Sequence, residues 1–158
     1  MTPKSLLRHP AVVSDLDALT SGVFERILPD ERDKPAKTSR VLLCSGKIYY
    51  ELAKHREESG RDDVAILRLE QLYPLADKHI EQALEPYADG TPTYWVQEEP
   101  ANMGAWFYMC CRFGDRVLGR LPLKRVSRNA SASPATGSAA AHQIEQQELI
   151  EEAFAGLD

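Results

Sequence analysis

Polar residues follow the hydrophobic runs of the sequence, at the points where strands are predicted to end. They form four groups: Ser45-Gly46-Lys47, Glu70-Gln71, Gln97-Glu98-Glu99 and Arg128-Asn129. Open parallel sheets bind ligands at the carboxyl ends of their strands, so we expect these groups to gather at one edge of a sheet. They are more polar than turns between strands and helices require, which favours a binding site at that edge.

The turn Ser45-Gly46-Lys47 precedes a predicted helix and could hold a phosphate group. Free N–H groups, the helix dipole and the lysine charge would all favour an anion there. The turn lacks the upstream glycine and the spacing of a P-loop. A tight turn with a solvated lysine explains the same residues, so both interpretations stay open.

Glu98 and Glu99 place two carboxylates at the end of one predicted strand. Neighbouring side chains of a strand point to opposite faces, so the two could act as an acid–base pair only if the strand bends. One of them, if buried, could titrate at high pH and act as a general acid. The alternatives are a helix-capping carboxylate or an ion pair with one of three arginines, Arg68, Arg125 or Arg128.

Two further stretches carry chemistry-bearing residues. Small side chains follow Arg128 as far as Pro134; they would let a ligand approach the backbone while Arg128 grips a carboxylate or phosphate. A flexible surface loop is the alternative. The run Trp106-Phe107-Tyr108 could be a stacking platform, although such residues more often belong to a core or a subunit interface.

The remaining residues offer no catalytic pattern. The histidines lie far apart, and Cys110 and Cys111 stand side by side in a predicted helix, where they cannot chelate one metal ion well. We find no nucleophile paired with a base and no glycine-rich dinucleotide loop. The sequence therefore predicts no catalytic residue and no metal ligand, and favours a binding or assembly domain over a self-contained enzyme.

Composition limits the class of protein further. The 158 residues suffice for one domain with its own core, and the formal net charge of −5 disfavours nucleic-acid binding. No apolar run is long enough to cross a membrane. Three cysteines without regular spacing indicate reduced thiols rather than a disulfide framework.

The hydrophobic pattern alternates strands with helices from Arg40 onwards. Strands are predicted at Arg40–Ser45, Asp63–Leu69, Thr93–Glu99 and Leu123–Ser127, with helices after Gly46, over Ala76–Leu84, from an Asn102 cap towards Arg112, and over Ala139–Ala155. This order predicts an α/β three-layer sandwich with a mostly parallel sheet of four to five strands. The charged stretch Pro29–Ser39 is interpreted as a surface linker because it offers little to bury.

Six ordered segments resemble one family. They are TPKSLLRHP, VLLCSGKIYYEL, VAILRLEQLYPL, WVQEEPANMGAW, RNASASPATG and HQIEQQELIEEAF. Together they resemble the C-terminal region of 2-oxoglutarate dehydrogenase, the thiamin-diphosphate-dependent first component of the 2-oxoglutarate dehydrogenase complex. The runs QEEPANMGAW and ASASPATG are the most diagnostic, and only about Val23–Ser39 falls in a variable stretch.

The resemblance implies a transketolase-C-terminal-like domain at residues 40–158, preceded at 1–39 by the tail of another domain and a linker. Family members decarboxylate 2-oxoglutarate and pass the succinyl group to the lipoyl-bearing succinyltransferase component. They bind thiamin diphosphate and magnesium through two earlier domains and form homodimers. The resemblance therefore implies no cofactor and no catalytic residue in this chain, which would be inactive alone and would organise the dimer. It also implies the bacterial cytoplasm or the mitochondrial matrix.

Some bacterial members of the family bind a nucleotide or acetyl-CoA effector in this region. The resemblance, joined to the polar strand ends, suggests Ser45 and Lys47 as phosphate contacts. Gln97 and Glu98 would contact polar groups of the ligand. Two alternatives remain: an autonomous acetyl-CoA- or AMP-binding module, and the paralogue that acts on 2-oxoadipate.

Overall fold

The computed structural model describes residues 3–32 and 35–156. The predicted tail at 1–39 and domain at 40–158 include positions 1, 2, 33, 34, 157 and 158, which lie outside the described residues. The boundary between the two regions stays a prediction.

Strands and helices alternate through most of the chain, as the hydrophobic pattern predicts. The strands are β1 (Ile27–Leu28), β2 (Arg40–Cys44), β3 (Val64–Leu69), β4 (Thr93–Pro100), β5 (Arg116–Val117) and β6 (Leu121–Arg128). The helices are α1 (Leu16–Thr20), α2 (Ile48–Ser59), α3 (Asp77–Leu84), α4 (Trp106–Phe113) and α5 (Ala139–Phe154). The predicted bounds of the four longer strands differ from these by one or two residues.

The described strands form one sheet in the order β1-β3-β2-β4-β6-β5. The four central strands are parallel, which confirms the predicted α/β class. The sheet has six strands rather than four to five, because two-residue strands pair antiparallel at both edges. Segments so short carry no periodicity that the sequence alone could reveal.

Both faces of the sheet are covered, which confirms the three-layer arrangement. Along β2, Val41 and Leu43 pack in a cluster with α3 and α4, whereas Leu42 and Cys44 pack in a second cluster with α2 and α5. All four side chains are fully buried. Because side chains alternate across a strand, only a continuous apolar run can fill both layers.

One residue of the predicted surface linker, Asp30, is bound to the sheet through its side chain. Strand β1 lies just before the linker and pairs with β3, and within the linker the carboxylate of Asp30 accepts a hydrogen bond of 2.7 Å from the backbone N–H of Ile66. Asp30 also forms an ion pair with Arg56, and its side chain is 7% exposed. The interpretation of the whole stretch Pro29–Ser39 as exposed linker is wrong at Asp30, since this carboxylate replaces a strand partner for β3.

Helix α5 is fixed to the sheet at its C-terminal end. Arg40, which is 3% exposed, donates a hydrogen bond of 2.6 Å to the carbonyl of Ala153. Arg61 donates one of 2.7 Å to the carbonyl of Phe154. Cations stabilise the carbonyl groups that the last helical turn leaves unpaired. Among the described residues, no helix combines the length and the apolar character needed to span a membrane.

Candidate functional site

The turn after β2 brings Lys47 over the carboxyl end of β4. Gly46 has a φ of +76°, a conformation that residues with a side chain rarely adopt, and it turns the chain from the strand into α2. The Lys47 ammonium contacts the carboxylate of Glu98 and lies 3.3 Å from that of Glu51. Lys47 is therefore not a solvated lysine, and Glu98 pairs with this lysine rather than with an arginine.

The neighbouring carboxylates change the pKa of Lys47. Its partial burial on its own lowers the pKa, but the hydrogen bond and charge of Glu98, reinforced by Glu51, outweigh that effect and raise the pKa above its ordinary value. Lys47 therefore keeps its charge at neutral pH. A phosphate bound here would have to compete with the two carboxylates that already neutralise this ammonium group.

A polar network continues from this pair to the last strand. Glu51 accepts a hydrogen bond of 2.9 Å from the amide of Gln146, whose oxygen accepts one of 2.7 Å from Arg128. Arg128 also lies 3.0 Å from Nδ1 of His142. Residues of α2, β6 and α5 are thus joined at the same edge of the sheet. Of the predicted strand-end groups, Lys47, Glu98 and Arg128 belong to this network, whereas Glu70 pairs with Arg68 and Gln71 bonds to the carbonyl of Pro74.

Gln97 lies on the opposite face from Lys47. Its side chain is 3% exposed, and its oxygen accepts hydrogen bonds from the indole of Trp95, at 2.8 Å, and from the backbone N–H of Trp106, at 2.9 Å. Its amide nitrogen donates to main-chain carbonyls, the shortest bond reaching Met103 at 2.7 Å. Gln97 therefore fixes the turn between β4 and α4, and it could affect a ligand only through that turn.

Gly104 explains why this turn can form. A Cβ atom at position 104 would lie 2.8 Å from Nε2 of Gln97, and the φ of the residue is +69°. Glycine is therefore required both by the close approach and by the conformation. The sequence gives no signal that distinguishes such a structural glutamine from one that binds a ligand.

Ser45 is the least constrained of the four predicted contacts. It is half-buried between β2 and Gly46, and its hydroxyl forms no hydrogen bond with the described residues. Ser45 and Lys47 thus belong to the same turn and Glu98 pairs with Lys47, whereas Gln97 lies on the opposite face of the sheet.

The loop of small residues after β6 is held in place. Asn102 donates a hydrogen bond of 2.9 Å to the carbonyl of Ser131 and accepts one of 3.0 Å from its N–H. Thr136 donates to the carboxylate of Glu145 on α5. The prediction that Asn102 caps α4 is wrong, because the helix begins at Trp106 and Asn102 clamps this loop instead.

The aromatic run of α4 is partly exposed. Trp106 is half-buried beneath the guanidinium of Arg125, 5.6 Å from its ring centroid, whereas Phe107 is 56% exposed. Tyr73, which is 83% exposed, lies edge-on to Tyr108. The run is therefore divided between the core and the surface.

Among residues 3–32 and 35–156, no three His, Cys, Asp or Glu side chains come together as a metal site. The described residues do not fit the magnesium that accompanies thiamin diphosphate, so we derive no step of thiamin chemistry from them. The fold and the site define an α/β domain. Ion-paired side chains lie at the carboxyl ends of its parallel strands, and a loop held by hydrogen bonds lies beside them.

Comparisons with known proteins identify the family to which the chain belongs. The family described as 2-oxoglutarate dehydrogenase C-terminal matches residues 13–154. The 2-oxoglutarate dehydrogenase E1 component of Haemophilus influenzae is 46% identical over 98% of this chain and 17% of its own length. The Multifunctional 2-oxoglutarate metabolism enzyme of Mycolicibacterium vanbaalenii is 45% identical over 97% of this chain and 13% of its own.

The chain belongs to the 2-oxoglutarate dehydrogenase C-terminal family, as its six sequence segments predict. It spans less than a fifth of the length of these relatives. One solved chain, described as a split gene transketolase in an inactive beta4 tetramer, aligns with a TM-score of 0.48 and 16% identity over 84% of this chain and 45% of its own.

Proposed function

We propose that this chain is the C-terminal domain of a longer, thiamin-diphosphate-dependent 2-oxoglutarate dehydrogenase. The complete enzyme would decarboxylate 2-oxoglutarate and transfer the succinyl group to a lipoyl-bearing succinyltransferase in the cytoplasm. The observation that carries the proposal is the 46% identity to the Haemophilus influenzae E1 component over 98% of the chain. Thiamin diphosphate and magnesium would be bound by the preceding domains.

The 158-residue chain is proposed to organise the enzyme rather than to catalyse. The test is to incubate it with 2-oxoglutarate, thiamin diphosphate and Mg²⁺ and to measure the release of CO₂. We expect no release above the rate without protein. Sustained turnover by the purified chain would contradict the proposal.

The N-terminal segment supports a role in assembly. Six of its apolar side chains are between 66% and 79% exposed: Leu7, Val13, Leu16, Leu19, Val23 and Phe24. Exposed apolar surface of this extent is typical of interaction sites. We propose that this segment packs against the preceding thiamin-binding domains within the homodimeric enzyme.

Self-association of the isolated chain tests the role of this surface. We expect light scattering to show a molecular mass that rises with concentration, and the double variant Leu16→Lys/Leu19→Lys to suppress the rise. Lysine substitution at Ile144, which is 61% exposed on α5, provides the matched control. A strictly monomeric wild type at high concentration would argue against an assembly surface.

We also propose that the turn at Ser45 and Lys47, with Glu98 opposite, binds an acetyl-CoA or AMP effector. The ammonium group of Lys47 and the hydroxyl of Ser45, which has no hydrogen-bond partner among the described residues, support this. Because Glu98 neutralises Lys47, a phosphate has to displace it. Removing that carboxylate with Glu98→Gln should therefore strengthen binding, whereas Lys47→Ala should abolish it.

Calorimetry with acetyl-CoA and with AMP measures both effects. The control is Lys54→Ala. Lys54 lies on α2, the helix that follows the turn; it is 74% exposed and pairs only with Glu58 among the described residues. If neither acetyl-CoA nor AMP gives a heat of binding, the effector proposal is contradicted. It would leave the assignment to the family unaffected.

A further inference from the structure

The stretch from Arg112 to Arg128 is strongly basic in an otherwise acidic chain. It holds six basic residues and one acidic residue, although the formal net charge of the whole chain is −5. The stretch comprises the end of α4, β5 and β6, and the two strands lie at one side of the sheet. Positive charge is therefore concentrated at that side.

Three of these six cations have no carboxylate beside them. Arg116, Lys124 and Arg125 are exposed and form no ion pair within the part of the chain that the structure describes. The guanidinium of Arg125 lies over the ring of Trp106 instead, and Arg116 donates a long hydrogen bond of 3.4 Å to the carbonyl of Gly119. The three charges are therefore available to a partner.

The outer edge of β6, the side that faces away from β4, is paired along only part of its length. Strand β6 runs over eight residues, from Leu121 to Arg128. Strand β5 pairs with the first two of them, and the N–H of Leu123 donates to the carbonyl of Asp115, just before β5. Beyond Leu123, no strand of the described residues lies on this side.

Arg125 and Ser127 carry the main-chain groups that this leaves unpaired. The carbonyl of Arg128 accepts a hydrogen bond from the N–H of Ala101, on the β4 side. Because the direction of hydrogen bonding alternates along a strand, Arg125 and Ser127 direct their N–H and C=O groups to the outer edge. Such a row of unpaired groups is a template for an added strand.

The charges decide which strand can be added. A second copy of β6 would place like charges against Lys124 and Arg125, and like charges opposite each other are destabilising. Charged side chains commonly protect an edge from such self-pairing. The same charges attract an acidic strand. Since neighbouring side chains of β6 point to opposite faces, Lys124 and Arg125 would meet acidic residues at neighbouring positions of that strand.

We propose that the outer edge of β6 binds an acidic, extended segment of another protein as an added strand, in line with β5. The main chain of the segment pairs with Arg125 and Ser127, and its carboxylates contact Lys124 and Arg125. Arg116, on β5, attracts a further acidic residue from one end of the edge. A nucleic acid or a lipid surface would use the charges but leave the main-chain groups unpaired.

Two hexapeptides test the part played by charge. The acidic probe is acetyl-Thr-Val-Glu-Glu-Val-Thr-amide, and the basic probe has lysine in place of both glutamates. In NMR titrations of the 158-residue protein, we expect saturable binding of the acidic probe, at least about fivefold tighter than binding of the basic probe. Added salt should weaken the binding, because the site is open to solvent.

Hydrogen exchange tests the main-chain pairing. In the free protein, the amides of Arg125 and Ser127 should exchange faster than those of Lys124 and Val126, which face β4, and the acidic probe should slow them. Alternate amide nitrogens of the acidic probe can be methylated in two patterns. One pattern should weaken binding by at least about fivefold, because it removes the donors that face β6.

Charge reversal locates the site on the protein. Lys124→Glu/Arg125→Glu should weaken binding of the acidic probe by at least about fivefold and reverse the preference between the probes. The matched control, Lys54→Glu/Lys78→Glu, changes the net charge equally at exposed positions of α2 and α3. It should leave the preference for the acidic probe unchanged. The amide spectrum of each variant checks that the fold is retained.

Absence of saturable binding of the acidic probe would overturn the proposal, as would equal affinity for the two probes or for the wild type and Lys124→Glu/Arg125→Glu. Unchanged exchange at Arg125 and Ser127, or binding that both methylation patterns leave intact, would indicate charge attraction without an added strand. An oligothymidylate that displaces the acidic probe would indicate a polyanion site. Either result would equally contradict the proposal.

Discussion

The carboxylate of Asp30 lies against the guanidinium of Arg56, with 7% and 6% of the two side chains exposed. Asp30 comes from the stretch before β2, and Arg56 comes from α2. The pair thus joins the N-terminal part of the chain to the α2 face of the sheet. Arg56 also donates a hydrogen bond of 3.1 Å to the carbonyl of Val64, which ties the pair to β3.

Removal of one partner should be costly. We expect Asp30→Ala to lower the free energy of unfolding by about 3 kcal/mol or more, because it leaves a buried guanidinium without its counter-ion. The N–H of Ile66 also loses its acceptor. Urea unfolding followed by tryptophan fluorescence measures the change.

An exposed ion pair provides the control for Asp30. Asp89 pairs with Arg120, and 74% of the Asp89 side chain is exposed. Asp89→Ala should therefore cost less than about 1 kcal/mol. Equal losses in the two variants would show that burial of the Asp30–Arg56 pair does not matter.

Gln97 should be a stability determinant. Gln97→Met keeps the side-chain volume close to that of glutamine but removes the acceptor for Trp95 and Trp106 and the donor for Met103. We expect the free energy of unfolding to fall by about 3 kcal/mol or more, since several buried polar groups lose partners together. Gln147→Met, on the exposed face of α5, should be close to neutral in the same urea titration.

The clamp between Asn102 and Ser131 should control the loop after β6. Asn102→Ala removes both hydrogen bonds to the backbone of Ser131, so the loop is expected to open more often. Amide hydrogen exchange over residues 129–137 should become faster, while β2 stays protected. Asn129→Ala, in the loop itself, is the comparison, and an equal effect there would contradict a specific clamp.

The cysteines should differ in reactivity. Burial raises the pKa of Cys44 to about 12, and the thiolate is the reactive form of cysteine. In a thiol-labelling assay at pH 8, exposed Cys111 should react in the native protein, and Cys44 only after unfolding. Rapid labelling of Cys44 in the variant Cys111→Ser would contradict this expectation.

The same pKa shift of Cys44 predicts a dependence of stability on alkaline pH. Its pKa is raised from 9.0 on folding, so the contribution of Cys44 is fully present below pH 9 and is lost as pH rises towards 12. Between these values, the free energy of unfolding should fall less steeply in Cys44→Ala than in the wild type. The two proteins are compared by the slope of the free energy of unfolding against pH, because the cavity left by the substitution changes its absolute value.

The sequence by itself determined the layers of the fold. The continuous apolar run Val41–Cys44 has to be buried on both faces, and the stripe of α2 has to cover one of them. Parallel strands then bring Lys47, Glu98 and Arg128 to one edge, whatever their distance along the chain. The family, likewise, was evident from ordered segments such as QEEPANMGAW.

Only the tertiary structure decided which polar groups meet. Glu98 had several arginines as possible partners, yet it pairs with Lys47 because both lie on the α2 face of the sheet. Gln97, one position earlier, points to the other face, where its oxygen accepts hydrogen bonds from Trp95 and Trp106. Asp30 is buried although its surroundings in sequence are charged. Hydrophobic periodicity reflects burial of whole elements, whereas ion pairs and hydrogen bonds depend on atomic distances that only packing fixes.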